Sequence, residues 1–510
     1  MADKDGGSRA LPDEEATQAL AREFALFARP GDFIALSGDL GAGKSTFARA
    51  FIRALAGDDA LEVPSPTFTL VQTYDETRLP VLHCDLYRIS DAGEIDELGL
   101  DEALAEGVVL VEWPDNAPGS LATTRLDMQL DMDGAGRIAR FAPHGETWAS
   151  RIARMGEISA FLDRCGRTGD KRGHLQGDAS TRRYERLNGA SGKAILMDSP
   201  ARPDPGKPGE PSYSQIAHLA EDVAPFVALA NGLRKAGAHA PEILAQDLDG
   251  GLLVIEDLGG GTIITADRKP IAERYIDSVR LLAHLHTQDL RQVLPVDGVT
   301  SHEVPAFDAG VFHAEASLLP QWYWPHAKDS EIDAEARADF VTAWDEVLAT
   351  TGVLTRQPTW VLRDFHSPNV VWCEETQSPL SPLDRVGVID FQDALWGPAA
   401  YDVVSLAQDA RITVPPDLER DILNAYFAAR DGVDESAFLA DYAVMGAQRN
   451  TKILGIFARL NARDGKPHYL AHLPRVQAYL ARDLAHPALA PVAAWFAQHL
   501  PDIVTERTSA

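Results

Sequence analysis

An aspartate followed five residues later by an asparagine, then a second aspartate after a short apolar run, places Asp364, Asn369 and Asp390 within two stretches, 361–369 and 388–391. Phosphoryl transfer uses this set of side chains, because it depends on positioning and on cations more than on covalent chemistry. Asp364 would accept the proton of an acceptor hydroxyl. Asn369 and Asp390 would hold the Mg2+ ions that neutralise charge moving off the γ-phosphate of ATP.

A second and different phosphate motif lies in the first third of the chain. Residues 38–45 read GDLGAGKS, which satisfies GxxxxGKS in full between an apolar strand (33–36) and an amphipathic helix carrying Phe47, Phe51, Ile52 and Leu55. Gly38, Gly41 and Gly43 let backbone N–H groups wrap a phosphate, and Lys44 bridges to the γ-phosphate. Ser45 supplies a magnesium-binding hydroxyl beside Thr46 at the helix start. Two further apolar runs end in acids, Asp85 (81–85) and Glu112 (108–112). Runs this continuous are strands buried on both faces of a parallel sheet, whose carboxyl ends carry ligand sites. Glu112 therefore reads as the Walker B acid, and Asp85 as an orienter of water or of the metal shell, or a plain surface acid.

The elements that must position these groups fall into two blocks. Residues 1–150 read as an α/β P-loop domain, and 151–510 as a two-lobed α+β domain of protein-kinase type with a helical C-terminal lobe. Its lobes would span about 155–258 and 259–500. A helix is expected over 155–165 and a connecting loop over 164–177. A hairpin then follows from 177–187 and 194–198, whose polar residues Ser180, Thr181 and Arg183 would fold over ATP phosphates. The apolar run 252–255 passes into Gly-rich coil, as a hinge requires, with backbone near Glu256 and Leu258 free to read adenine. His284 and His286 read as packing or capping residues. The aromatic run 322–324 reads as core more readily than as a stacking platform.

Composition sets the bounds. At 510 residues, 45% hydrophobic and 24% charged, the chain reads as a soluble globular protein of two or three domains. Its formal charge of −29 disfavours extended contact with nucleic acid unless a partner supplies basic surface. The acidity is shared: residues 1–150 carry 12 Lys and Arg against 27 Asp and Glu. Cys84, Cys165 and Cys373 show no metal or disulfide spacing. The acidic N-terminus has no apolar core, and no apolar run approaches the roughly 20 residues that span a bilayer. A cytoplasmic protein is expected.

The first block resembles the TsaE family, the ATPase subunit of the bacterial machinery for threonylcarbamoyladenosine in tRNA. The segments that carry the likeness are GDLGAGKST, 64–71 (PSPTFTLV), 83–88 (HCDLYR), 97–100 (ELGL) and 111–114 (VEWP). The resemblance implies that Thr67 and Glu112 help hold Mg2+, that Asp85 assists hydrolysis and that Trp113 packs near the nucleotide. It implies TsaB and TsaD as partners.

The second block resembles the aminoglycoside phosphotransferase superfamily and, within it, the anomeric sugar kinases called AmgK. GDASTRRY, ILMDSP, IEDLG, RDFHSPN, IDFQDALWGPAAYDVVSL and QRNTKILGIF carry this likeness. It implies ATP-dependent phosphorylation of the anomeric hydroxyl of N-acetylmuramate and N-acetylglucosamine in cell-wall recycling. Another hydroxyl acceptor, such as an aminoglycoside or amino alcohol, and a regulatory pseudokinase are the alternatives. Two departures stand out: Leu362 replaces the His of the kinase pattern, and Met197 or Asp198 stands where a phosphate-gripping Lys is usual. Lys193 lies about 13 Å away along a strand, so Arg182 or Arg183 is the expected substitute.

Overall fold

The computed structural model describes residues 7–89, 98–117, 121–175, 182–374 and 382–505. The chain divides into two compact units, 1–198 and 199–510.

In the first unit, β1 (Ser8–Leu11) leads to α1 (Glu14–Phe27), whose cap Asp13 accepts a hydrogen bond from the Ala16 amide. Strand β2 (Asp32–Ser37) enters the glycine loop, and α2 (Lys44–Ala56) leaves it with Phe47, Phe51, Ile52 and Leu55 buried, the face the sequence marks as apolar. Then come β3 (Val71–Tyr74), β4 (Val81–Asp85), α3 (Leu100–Glu106), β5 (Val108–Glu112), β6 (Arg125–Asp133) and β7 (Gly136–His144). The sheet order is β1-β7-β6-β2-β5-β4-β3, with β6, β2, β5 and β4 parallel. Every residue of β4 and β5 is buried, as expected for strands covered on both faces.

Helix α4 runs from Glu146 to Arg164 in one piece, so the short helix expected at 155–165 is the second half of a longer one. The reason is local: Trp148, Arg151 and Met155 continue the helical spacing back to Gly145, and Arg151 is anchored on both Asp32 oxygens at 2.7 Å. Part of the stretch taken as loop forms β8 (Lys171–Leu175), antiparallel to β9 (Arg183–Gly189), which pairs in turn with β10 (Gly192–Asp198). β8 escapes notice because its sequence, KRGHL, has neither an apolar run nor clean alternation. It is held by ion pairs: Arg172 binds Glu185 of β9 at 2.7 Å and Glu23 of α1 at 3.3 Å.

The second unit holds helix Ala224–Lys235, the hairpin of Ile243–Asp247 with Leu252–Ile255, and helix Ala272–Leu285. Three small antiparallel ladders follow, the first pairing Val293–Pro295 with Ser301–Glu303. Pro358–Val361 pairs with Leu395–Pro398, and Val370–Trp372 with Val386–Val388. The remainder is helical, centred on Glu435–Asp464, a 30-residue helix buried along most of its middle. Tyr323 and Trp324 are core residues, the former accepting a hydrogen bond from Gln477 and the latter packed on Trp495. His284 caps the Ala236 carbonyl and His286 bonds the Tyr426 hydroxyl, so both are packing residues.

Candidate active sites

The glycine loop turns because its glycines adopt backbone angles that other residues resist. Gly38 sits at φ 140, where an added Cβ would lie 2.2 Å from the Leu130 carbonyl oxygen, and Gly43 caps α2 at φ 108. Lys44 folds over this loop, donating to the carbonyls of Gly38 at 2.7 Å and Asp39 at 3.0 Å, with its ammonium 3.7 Å from the centre of the Trp113 ring. Burial lowers its pKa from the ordinary lysine value, against the opposing pull of Glu112, Asp85 and Asp39.

Parallel register brings the acids to one edge, with Asp85 opposite Glu112 and Glu112 opposite Leu36, just before the loop. The Ser45 hydroxyl donates to Glu112 at 2.9 Å, and the Thr67 hydroxyl donates to Asp85 at 2.7 Å. Thus Lys44, Ser45, Thr67, Asp85, Glu112 and Trp113 meet at the carboxyl end of the sheet, and Thr46 follows on the first turn of α2. Sequence reasoning gave no role to His83, which bonds the second Glu112 oxygen at 2.9 Å in the buried core and fixes that carboxylate. Its alternation with Asp85 along a strand was the available signal.

In the second unit, Asp364 lies in the loop after strand Pro358–Val361, and Asn369 precedes Val370–Trp372. Asn369 donates to the Asp364 carbonyl at 2.9 Å and to the Asp390 carboxylate at 3.4 Å, so the three predicted residues gather at one place. Among the described residues no hydrogen-bond donor reaches the half-buried Asp364 carboxylate. Asp390 is held at φ 60 and accepts from Gln392 at 3.0 Å. A left-handed backbone at a non-glycine residue persists only where surroundings enforce it, and Arg363, at φ 73, shares the condition.

What enforces it at Arg363 is a buried polar frame. Both oxygens of Asp402 accept from the loop backbone, Leu362 N–H at 2.6 Å and Arg363 N–H at 2.9 Å. The loop backbone at Leu362 is thus held without a side-chain bond from that residue. Burial raises the Asp402 carboxyl to about 7 even though the two N–H groups favour its charged form. Arg363 reaches Glu315, and Glu315 also takes Lys452 at 2.7 Å and Gln448 at 3.0 Å. Burial alone would push Glu315 up, but Lys452 and Arg363 overrule it and hold the carboxyl at about 2. Asp402 and Lys452 lay within segments already singled out, whereas Glu315 carried no local signal.

Glu256 lies just past strand Leu252–Ile255 with its carboxylate engaged by the Glu242 amide at 3.1 Å, His239 at 3.3 Å and Arg234 at 3.2 Å. The His239 hydrogen bond holds its pKa below the usual carboxylate range. The neighbouring Leu258 backbone has no hydrogen-bond partner among the described residues. Ser180 and Thr181 lie outside the described residues. Arg183, in the first unit, is committed to Asp198 at 2.8 Å and lies 3.4 Å from the centre of the Phe27 ring.

Both oxygen-donor sets suit Mg2+, which takes one or two carboxylates plus substrate phosphates in place of an all-protein cage. Ser45 with Glu112, and Asn369 with Asp390, offer such partial sets. No cluster of three His, Cys, Asp or Glu that would enclose a metal occurs among the described residues. All three cysteines are free thiols, and burial pushes Cys84 up to about 12. No helix among the described residues is long and apolar enough to cross a membrane.

Residues 11–139 match the family described as threonylcarbamoyl adenosine biosynthesis protein TsaE, and residues 174–437 match the phosphotransferase enzyme family. The chain is 38% identical over 358 residues to an N-acetylmuramate/N-acetylglucosamine kinase of Caulobacter vibrioides, covering 67% of this chain and 96% of that one. It is 39% identical over 122 residues to the TsaE protein of Rickettsia bellii, covering 24% of this chain and 84% of the relative. With TsaE of Bacillus subtilis it shares 44% identity over 121 residues, 24% of this chain and 74% of the relative. The glycine-loop part thus belongs to the TsaE family, and the part holding Asp364, Asn369 and Asp390 belongs to the phosphotransferase enzyme family.

Proposed function

We propose that the protein is bifunctional: an ATPase subunit that serves tRNA threonylcarbamoyladenosine formation with TsaB- and TsaD-like partners, and an anomeric kinase of N-acetylmuramate and N-acetylglucosamine. We assign the first activity to residues 1–150 and the second to 151–510. The observation that carries the kinase reading is the convergence of Asp364, Asn369 and Asp390, in a chain that covers 96% of a relative named for that activity.

In the kinase, Asp364 accepts the proton of the sugar hydroxyl as its oxygen forms a bond to the γ-phosphorus and the bond to the β–γ bridging oxygen breaks. Asn369 and Asp390 hold Mg2+, which when bound offsets the charge developing on the phosphate oxygens. Asp402 and Glu315 are positioning residues. Asp402 holds the backbone at Leu362 and Arg363, Glu315 holds the Arg363 guanidinium, and together they fix the direction in which Asp364 points. The backbone at Glu256–Leu258 receives the adenine edge.

In the ATPase, Lys44 and the loop amides grip the phosphates. Ser45, Thr67 and Glu112 hold Mg2+, and Asp85 orients the attacking water, with Trp113 closing over Lys44. A cytoplasmic location suits both activities.

The test is to incubate the full chain with ATP and a panel of acceptors. An acid-labile phosphate on N-acetylmuramate, retained in Lys44→Ala and lost in Asp364→Asn, is expected. An acid-stable phosphate on an aminoglycoside in place of the sugar product overturns the substrate assignment, and no phosphate on any acceptor turns the reading to a nucleotide-binding regulator.

A further inference from the structure

The first unit is acidic in sequence, yet one of its surfaces is basic. Between α1, the C-terminal half of α2 and β8 lies a cavity of about 410 Å³ lined by Arg22, Arg53, Arg78, Lys171, Arg172 and His174, with Asp59 as its acid. A neighbouring cleft of about 250 Å³ shares Arg22, Arg53 and Asp59 and adds Arg49, Thr46, Gln18 and a second acid, Glu14. Through the three shared residues the two adjoin as one groove. Its positive charge is only partly compensated. Arg172 is spent on Glu185 and Glu23, Arg22 on Glu15, and Lys171 on Asp59.

Arg49, Arg53 and Arg78 form no ion pair among the described residues. Their hydrogen-bond partners are the backbone carbonyls of Val63, Leu61 and Ala25, which carry no charge, and Asp59 offsets Arg53 only through space. The groups around the cavity register this field. The Lys171 hydrogen bond, with the charges of Arg22 and Arg53 behind it, lowers Asp59. Partial burial and then the charge of Arg78 lower His174, so its neutral form is favoured. Arginine forks gathered in a concavity, with their charge unpaired, suit phosphate oxygens in bidentate geometry.

We propose that this groove is a binding site for a small phosphorylated ligand carrying at least two negative charges, of the size of a nucleoside diphosphate or smaller. A volume of about 410 Å³ falls within the range of small-molecule pockets and is short for an extended strand of nucleic acid. The cavity of about 410 Å³ shares no lining residue with the glycine loop or with Asp364, Asn369 and Asp390. Residues 171–174 of β8 lie beyond the TsaE match, which ends at 139, so the site needs the joined chain and a ligand there ties β8 to α1 and α2.

The probe is inorganic pyrophosphate, titrated calorimetrically in EDTA into the full chain carrying Lys44→Ala, which removes the glycine-loop lysine. One equivalent is expected to bind, with affinity at least tenfold weaker when Arg53→Gln or Arg53→Gln/Lys171→Gln is added, all with the melting temperature of the Lys44→Ala chain. Absence of pyrophosphate binding at millimolar concentration overturns the proposal, as does binding that Arg53→Gln leaves intact. A single-stranded RNA that binds through Arg53 while pyrophosphate does not also overturns it, and assigns the groove to a nucleic-acid backbone.

Discussion

Asp364 and Lys44 belong to different units of the chain, and their replacements should separate the two proposed activities. Asp364→Asn keeps the shape of the half-buried loop but removes the proton acceptor, so kcat for sugar phosphorylation should fall about 10²- to 10⁴-fold with little change in the KM for ATP. A fall confined to KM would show that Asp364 binds without serving as the base. Lys44→Ala should abolish ATP-driven stimulation of tRNA modification and leave sugar phosphorylation intact, and loss of both would mean that the sites are coupled. Arg183 is read differently by motif and by geometry. With its guanidinium tied to Asp198 and Phe27, Arg183→Ala should lower the melting temperature and leave the KM for ATP within about twofold, as expected when a partly buried ion pair is lost. A tenfold rise in that KM would restore the phosphate grip that the missing strand lysine suggests.

At the scale of elements, the catalytic loop is only as rigid as the helices that frame it. Glu315, on helix Ala309–Ala316, neutralises Arg363 from the loop and Lys452 from the long C-terminal helix. Removing its charge leaves two buried cations without a counterion. Glu315→Gln is therefore expected to cost about 3–5 kcal/mol of stability, read by chemical denaturation. At a temperature where the variant is still folded, kcat should fall more than KM, because Asp364 loses its fixed direction. A variant as stable as the parent would remove this account of the frame. Helix Ala272–Leu285 contributes a pH response. Burial lowers its C-terminal neighbour His286 to about 3, where it bonds Tyr426 as a neutral ring. The unfolded chain binds the proton near pH 6.5 and the folded chain does not until about 3. This histidine's contribution is complete above pH 6.5, and stability declines as pH falls through that window. His286→Gln should flatten that slope in melts taken between pH 7 and 4.

For the whole molecule, two proposed nucleotide sites in one chain make stoichiometry the simplest measurement. Calorimetry in the presence of Mg2+ should return two ATP analogues bound per chain, one of them lost in Lys44→Ala and the other in the double variant Asn369→Ala/Asp390→Ala. A single equivalent would reduce the protein to one working site. The first unit carries β8–β10 beyond the glycine-loop sheet, held to α1 through Glu23 and Phe27. The glycine-loop sheet and β8–β10 thus belong to one compact unit.

The glycine loop, the strands ending in Asp85 and Glu112, and the trio Asp364, Asn369 and Asp390 were legible in the sequence because each is a local pattern: fixed spacing in the loops, and continuous apolar runs that admit only buried strands. The helix running back to Glu146 and the polar strand β8 were missed, since α4 is anchored by a distant Asp32 and β8 by Glu23 and Glu185. Sequence alone singled out the side chains proposed to handle phosphate, metal and proton, because that chemistry is written in residue type and short-range spacing. Only the tertiary structure decided what holds them in place. The carboxylates of Asp402 and Glu315 lie 39 and 48 residues from Arg363, and no local pattern announces that burial will bring them to the same backbone turn.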